Sequence, residues 1–379
     1  MIGILGQSMA LPAAPCLLES MGYTAAPGCV LLQGGGAAAL AQLDREPTPA
    51  TLAFEAVVIL GTIALLWILS RFKRSILLHY AIVAVGVLTF EIFTAPMWNN
   101  DKLGVWAYVY KDVSWVLTLG WSSMILGTIF LVDRFLPGLR EWQRFVAYLA
   151  VLTVLTSIAE SVVVAIGIRS YAPEVMAVIA GSMIPGTNIS FHLLYYVPVF
   201  LSLVIAFYRY WAPLLDQSLI PRPVPTNWLL SFVIAFVGVF FFEVMIEPMV
   251  VNAKFPSWSY VYHDISVVQT LFWIVLIWFA TNLIDKLLPR LDPIMQFVLY
   301  MVVLSVVAYP VESWLINDGF RVYGPSATEN FSGLRTIITN IPIEVALAIP
   351  LYLGLIISFV RYWEAATQGR ASEVFPRAA

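Results

Sequence analysis

Residues 241–273 read FFEVMIEPMVVNAKFPSWSYVYHDISVVQTLFW: two glutamates four apart, a proline, an aromatic cluster and a His-Asp pair, set between two apolar runs. The same pattern stands 152 positions earlier as FEIFTAPMWNNDKLGVWAYVYKDVSWVLTLGW, residues 90–121, with no gap needed. Phe90, Glu91, Pro96, Met97, Asn100 and Lys102 recur as Phe242, Glu243, Pro248, Met249, Asn252 and Lys254. Trp106, Tyr108, Tyr110, Asp112, Ser114, Thr118 and Trp121 recur as Trp258, Tyr260, Tyr262, Asp264, Ser266, Thr270 and Trp273. A match of this length at a fixed offset marks an internal repeat, and overlooking one misreads the whole fold.

The match continues outward. Asp133 and Pro137 recur as Asp285 and Pro289, and Glu160-Ser161 as Glu312-Ser313. Gly167, Arg169, Tyr171 and Pro173 recur as Gly319, Arg321, Tyr323 and Pro325, and Thr187-Asn188-Ile189 as Thr339-Asn340-Ile341. Pro198 pairs with Pro350, and Arg209-Tyr210-Trp211 with Arg361-Tyr362-Trp363.

The chain is 60% hydrophobic and 11% charged, with a mean hydropathy of +0.86, where soluble domains carry about 25% charged residues. Apolar runs near 20 residues recur, each long enough to cross a hydrocarbon core of roughly 30 Å. The expected spans are 52–69, 77–94, 112–132, 145–168, 188–208, 228–247, 264–284, 295–316 and 340–359. The fold class is therefore an all-α polytopic membrane protein of about nine transmembrane helices. One extra N-terminal helix precedes a tandem parallel duplication of four-helix units, offset by 152 residues. Four spans per unit is an even number, so both units enter the membrane in the same sense, related by a pseudo-two-fold axis along its normal.

The expected organisation is an external Gly/Ala/Pro-rich tail (1–51), a first helix with its basic loop (52–76), repeat one (77–227), repeat two (228–363) and a cytoplasmic tail (364–379). Basic residues concentrate on one side of such a chain, at Arg71, Lys73, Arg74, Arg134, Arg140, Arg144, Arg209, Arg222, Lys286, Arg290, Arg361 and Arg370. The positive-inside rule makes that side cytoplasmic, putting the N-terminus outside and the C-terminus inside a plasma or inner membrane. Cys16 and Cys29 both lie in the external tail, where a disulfide and two free thiols are equal expectations. A net charge of −3 with no basic face argues against nucleic acid as a partner.

Ionisable groups inside spans are costly and usually face a bundle interior or a wet cavity. Glu91, Glu160, Glu243, Glu247, Glu312 and Glu344 qualify, with Asp112 and Asp264 at the outer starts of their spans. On this topology they crowd the outer half of the membrane and leave the inner half nearly apolar. Glu243 and Glu247 are one helical turn apart and share a face, with Pro248 ending or kinking the helix beyond them. Two carboxylates in one apolar site do not both ionise cheaply, so one is expected to keep its proton, which sets an acid beside a base. His263-Asp264 returns at the same level.

The candidate catalytic residues are Glu243 as acid, Glu247 as its partner, His263 and Asp264 as base or orienter, with Glu91 and Asp112 as their counterparts in repeat one. Trp106, Trp258, Tyr260, Tyr262, His192, Glu312 and Asn340 are candidate substrate contacts. Plainer roles stand beside these: an interfacial aromatic belt for the Trp and Tyr residues, and helix ties for Glu160/Arg169 and Glu312/Arg321. Asp133 and Asp285 read as helix-end caps, and Arg209 and Arg361 as anchors snorkelling to the headgroups. Repeat two gains acid and base groups relative to repeat one, since Ala95 becomes Glu247, Lys111 becomes His263 and His192 becomes Glu344. Three histidines without i,i+4 pairing, no phosphate loop and no Gly-rich nucleotide fingerprint leave no sign of a haem, metal or nucleotide cofactor.

Short segments resemble a known family. Glu160, Gly167-Ile168-Arg169-Ser170-Tyr171-Ala172-Pro173, His192-Leu193-Leu194-Tyr195-Tyr196, Tyr208-Arg209-Tyr210-Trp211 and Glu247-Pro248-Met249-Val250-Val251-Asn252 are similar to motifs of avermectin-type spirocyclase-like membrane proteins. The chain departs from that family in its internal duplication and in Tyr196, where the family tends to an acid. The resemblance implies cyclisation or dehydration of a lipophilic polyketide or terpenoid-like substrate. From the residues, the first expectation is a membrane enzyme doing cofactor-independent acid/base chemistry on a lipophilic substrate drawn from the outer leaflet, with membrane lipids as its other partners. A proton-coupled transporter, or a non-catalytic scaffold or pigment-binding subunit, are the alternatives; a nearly apolar inner half counts against a carrier.

Overall fold

The computed structural model describes residues 45–179, 183–187, 189–216, 227–329 and 331–367. The cysteine question falls on residues outside that set, as does Asn188. Nine helices among the described residues are long and apolar enough to span a membrane, which makes this a multi-pass membrane protein. In chain order the helices are α1 (Pro49–Ser70), α2 (Ile76–Thr94), α3 (Trp115–Phe135), α4 (Glu141–Ala165), the short α5 (Pro173–Ile179), α6 (Leu193–Leu215), α7 (Trp228–Ile246), α8 (Val267–Leu287), α9 (Pro293–Asn317), the short α10 (Pro325–Glu329) and α11 (Ile343–Thr367).

Helix bounds follow local chemistry. Thr48 and Thr51 form a reciprocal cap ahead of α1, with Pro49 at its first position. The Asn227 side chain accepts from the Leu229 and Leu230 amides to start α7, and Asp292 does the same for α9 through Ile294. Gly167 and Gly319, at φ of 78° and 70°, end α4 and α9 in left-handed turns. There Ile168 N donates to Val163 O and Phe320 N to Leu315 O (2.9 and 2.8 Å), closing each helix as a Schellman turn. A Cβ on Gly319 would stand 2.9 Å from Lys254 Nζ. That amine donates to Asp318 O (2.6 Å), so the repeated lysine caps the helix end.

The connections α2–α3, α4–α6, α7–α8 and α9–α11 carry eight short strands at one end of the bundle, an addition to the all-α expectation. β1 (Trp98–Asn100) pairs antiparallel with β4 (Arg169–Tyr171), and β5 (Val250–Asn252) with β8 (Arg321–Tyr323). β2 (Tyr108–Tyr110) with β3 (Val113–Ser114), and β6 (Tyr260–Tyr262) with β7 (Ile265–Ser266), form two bulged hairpins. Nearly every element between 76 and 215 has a counterpart 152 residues later, within two residues at either bound; α10 stops short of α5. Matched residues also meet each other: the Phe90 and Phe242 rings are 6.3 Å apart, and Glu174 Oε1 accepts from the Ser326 amide (2.6 Å).

At the centre, α6 packs along α11, flanked by α2 and α7. Gly86 and Gly238 permit this approach, since a Cβ on either would come within 3.0 and 2.9 Å of Phe207 and Phe359. Helix α1 is peripheral. It lies on α3 where Gly120 and Gly127 face Val58 and Leu65, small residues that let membrane helices approach.

Three expectations for the opposite end are overturned. Asp133 and Asp285 are not loop caps: they sit in the last turns of α3 and α8 and accept hydrogen bonds from Tyr148 and Tyr300. Arg209 and Arg361 do not snorkel, for they are 6% and 3% exposed. Arg209 pairs with Glu141 (2.7 Å) and Asp133 (3.5 Å), and Arg361 with Asp285 (2.8 Å) and Glu364 (2.6 Å). Tyr362 donates to Glu141 (2.8 Å) across the two halves, and His79, Tyr208, Asp216 and Lys73 form a further polar chain. The end of the bundle away from the strands is therefore not apolar: its charges are drawn inward because each finds a partner there, which offsets desolvation. Helix bounds shift by a few residues from expectation, most in α11, whose amphipathic C-terminal turn runs on to Thr367 behind the buried Glu364.

Candidate active site

A cavity of about 350 Å³ opens at the strand-bearing end, between α2, α7, α8, α9 and α11. Its walls are apolar and aromatic, including Phe93, Phe242, Ile246, Trp273 and Leu353, and its polar groups converge from both halves. Glu243, on the last turn of α7, accepts a hydrogen bond from Thr270 of α8, and no other hydrogen bond reaches it among the described residues. Facing it, Arg321 of β8 pairs with Glu312 of α9 (3.6 Å), and Tyr323 donates to Glu312 Oε1 (2.7 Å). Arg321 also donates to Asn252 Oδ1 (3.4 Å), and the Gln269 amide oxygen, turned inward, accepts from Arg321 Nη2 (3.1 Å) and Trp273 Nε1 (2.7 Å). The carboxylates beside it raise the Arg321 pKa further, so its charge is permanent.

The β5–β8 ladder explains this geometry. It aligns Asn252 with Arg321, so the arginine and Tyr323, two residues on, point to the same side of the strand. Tyr352 stacks on Phe242 (4.9 Å between centroids) and fixes the aromatic wall beside Glu243. The roof comes from the other half. Tyr110 and Lys111, at the tip of the β2–β3 hairpin, line the cavity together with Glu344. Lys111 has a left-handed φ of 48°, and its carbonyl accepts from Arg45 (2.8 Å), which clamps the tip. Burial pulls the Lys111 amine down from its ordinary pKa.

The expected residues divide. Glu243 and Glu312 line this cavity. Glu247 does not join Glu243: α7 ends at Ile246, and Glu247 opens a 3-10 turn that carries it toward His263 Nδ1 (3.6 Å) and Asp264. The supposed pair on one helix face is thus dissolved by the turn that Pro248 induces. Asp264 accepts from the Asn252 amide (2.9 Å), and burial lifts its pKa to about 6. His263 sits exposed at the tip of the β6–β7 hairpin with φ of 46°. Glu91 is buried and accepts from Thr118 (2.5 Å). Asp112, whose carbonyl accepts from Asn100 (3.0 Å), is likewise raised to about 6 by burial.

The remaining expected substrate contacts lie outside the cavity. Trp258 and Trp106 are 72% and 53% exposed on the hairpin faces. Tyr262 is also exposed, and Tyr260 accepts from the Phe255 amide (3.1 Å) as a loop strut. His192 precedes α6, its Nδ1 near Ser190 Oγ (3.2 Å). Asn340 makes a left-handed turn (φ 54°) whose carbonyl accepts from Arg335 (3.0 Å). Trp106 and Trp258 sit in short 3-10 turns, Val105–Ala107 and Ser257–Ser259, that leave their rings exposed. The residues that do form the site, Arg321, Tyr323, Tyr352, Trp273 and Thr270, were legible only in part: four of them recur at the 152-residue offset, whereas Tyr352 stands opposite Phe200.

The first half holds a matched constellation of Glu91, Glu160, Arg169, Tyr171 and Trp121 around a space of only about 40 Å³. Arg169 pairs with Glu160 (3.4 Å) and donates to Asn100 Oδ1 (3.1 Å), as Arg321 does with Glu312 and Asn252. Among the described residues, no group of three or more His, Cys, Asp or Glu side chains is placed to hold a metal ion. Comparison with family models, with curated proteins and with solved structures finds no match for the chain.

Proposed function

We propose that the chain is an integral membrane enzyme that performs cofactor-independent acid/base chemistry on a lipophilic, polyketide- or terpenoid-like substrate in the second-half cavity. The observation that carries this reading is an apolar cavity of about 350 Å³ whose polar groups are gathered at one place, with Glu243 opposite Arg321, Glu312 and Tyr323. That size falls within the range of about 300–1,000 Å³ usual for small-molecule sites. Glu312 is engaged by Arg321 and Tyr323, so Glu243 is the group placed to exchange a proton. In its acid form it donates to an alkene, carbonyl or hydroxyl of the substrate. The carboxylate left behind takes a proton from a neighbouring carbon, or from the oxygen that closes a ring, and the site returns to its starting state. A dehydration differs only in releasing one water. Arg321 and Tyr323 orient the substrate oxygen, and the aromatic wall lies against the cationic intermediate.

The resemblance to spirocyclase-like proteins favours cyclisation or dehydration within this class. We read the matched element bounds as a tandem parallel duplication with α1 outside it, and the strand-bearing end as facing outward from a plasma or inner membrane. The buried ionic clusters at the opposite end remove the objection to a proton-coupled carrier, which stands as the alternative. The test compares lipid-extract mass profiles of a host with and without the protein and with Glu243→Gln. A species that changes isobarically or by one water, and reverts in the variant, is the expected result. An unchanged profile with folded protein, together with probe uptake into proteoliposomes driven by a proton gradient, would replace the enzyme with the carrier.

A further inference from the structure

Two matched cavities of such different size call for a cause, and the lining residues supply it. Position by position, Glu91, Trp121, Glu160, Arg169 and Tyr171 stand where Glu243, Trp273, Glu312, Arg321 and Tyr323 stand in the other half. The chemistry is the same; the fillers are not. Trp98 occupies the position of Val250, and Tyr196 that of Ala348. The Arg169 guanidinium lies over the Trp98 ring at 5.4 Å, a contact for which Val250 offers Arg321 no ring. Tyr196, 8% exposed, fills the space beside Phe200 where Ala348 leaves a void beside Tyr352. Glu91 is 7% exposed, while Glu243 is part-buried at the edge of its cavity.

We infer that the first half holds a second, occluded binding site for the same class of ligand, a lipophilic molecule bearing a hydrogen-bonding oxygen, and that Trp98 and Tyr196 are the plugs that keep it shut. This rests on the reading of the second-half cavity as a ligand site. The choice of which half takes ligand lies in two residue pairs, Trp98/Val250 and Tyr196/Ala348. Each plug is a side chain whose loss leaves a void lined by Glu91, Arg169 and aromatic rings, and the opposite half already shows that the scaffold tolerates the smaller residues.

The test is saturable binding of tritiated farnesol, a fifteen-carbon isoprenoid alcohol, to the full chain in lipid nanodiscs, with empty discs as background. The native chain is expected to bind one equivalent, Ala348→Tyr/Val250→Trp none, and Trp98→Val/Tyr196→Ala two. Combining all four changes should return the count to one, now lost on adding Glu91→Gln/Arg169→Leu. A folded Trp98→Val/Tyr196→Ala protein that stays at one equivalent overturns the occluded site and leaves the second-half cavity standing. No saturable binding by the native chain overturns the cavity reading and this inference together. If the opened variant fails to fold, the milder Trp98→Leu/Tyr196→Val is measured, and a count no higher than native overturns the inference.

Discussion

The two halves carry one set of polar groups in two states of packing. In the second half a valine and an alanine leave about 350 Å³ beside Glu243; in the first, a tryptophan and a tyrosine reduce the matched space to about 40 Å³ beside Glu91. The buried Arg–Glu pairs are common to both, whereas the volume beside them is not. Repeated charge alone therefore does not distinguish the halves; the void next to the charge does. The hairpins repeat the lesson. Tyr110 and Lys111 roof the cavity of the other half, whereas the matched Tyr262 and His263 do not line the smaller space.

The comparison can be broken most sharply at the two glutamates. Glu243→Gln should lower turnover by about 10²–10⁴-fold, the usual contribution of a positioned general acid, while Glu91→Gln should change it less than about threefold. Equal losses in a product assay on purified protein would erase the functional distinction between the halves. Next in size, Arg361→Leu should destabilise the fold by about 3–5 kcal/mol, because it leaves Asp285 and Glu364 buried and uncompensated. Arg209→Leu should cost less, since Arg144 Nη1 stays 3.9 Å from both Asp133 and Glu141, whereas Gln296 stands at the matched position of the other cluster. Denaturant-induced unfolding in mild detergent measures both, and equal losses would show that Arg144 does not compensate.

A smaller effect should be shared by the two hairpins and depends on pH. Burial holds Asp112 and Asp264 at about 6, above the ordinary carboxylate value near 4. The folded state then binds more protons than the unfolded one between those values, so the contribution of each group to stability is fullest below about pH 4 and is lost as pH rises through about 6. Thermal unfolding from pH 4 to 7 should show that decline, and Asp264→Asn and Asp112→Asn should each flatten it. A slope unchanged by either substitution would contradict the burial argument. Smallest of all, Gly238→Ala should move Phe359 and Gly86→Ala should move Phe207, each lowering the melting temperature by a few degrees. Because Gly86 has the slightly roomier site, its variant should fall less.

Much of the fold was legible in local chemistry. Hydropathy over 20-residue windows located the nine long apolar helices of the described residues, since the cost of burying polar backbone in lipid is met segment by segment. The 152-residue match placed Glu243 opposite Glu91 and Arg321 opposite Arg169 from residue type and spacing alone. Less was legible in the site. Helical spacing put Glu247 beside Glu243, but the turn at Pro248 swung it toward Asp264 instead. Charges near the other interface read as snorkelling anchors, yet Arg209 and Arg361 find carboxylates on other helices and turn inward.

What the sequence by itself determined is the membrane-spanning class, the matched halves and the inventory of acids that membrane burial makes expensive. What only the tertiary structure decided is which of those acids faces an open space, and the reason is physical. Hydropathy and periodicity are sums over neighbours in the chain. A cavity is the remainder left when five helices and a hairpin from the other half have packed, and Ala348, Val250 and Lys111 border it from segments more than 90 residues apart.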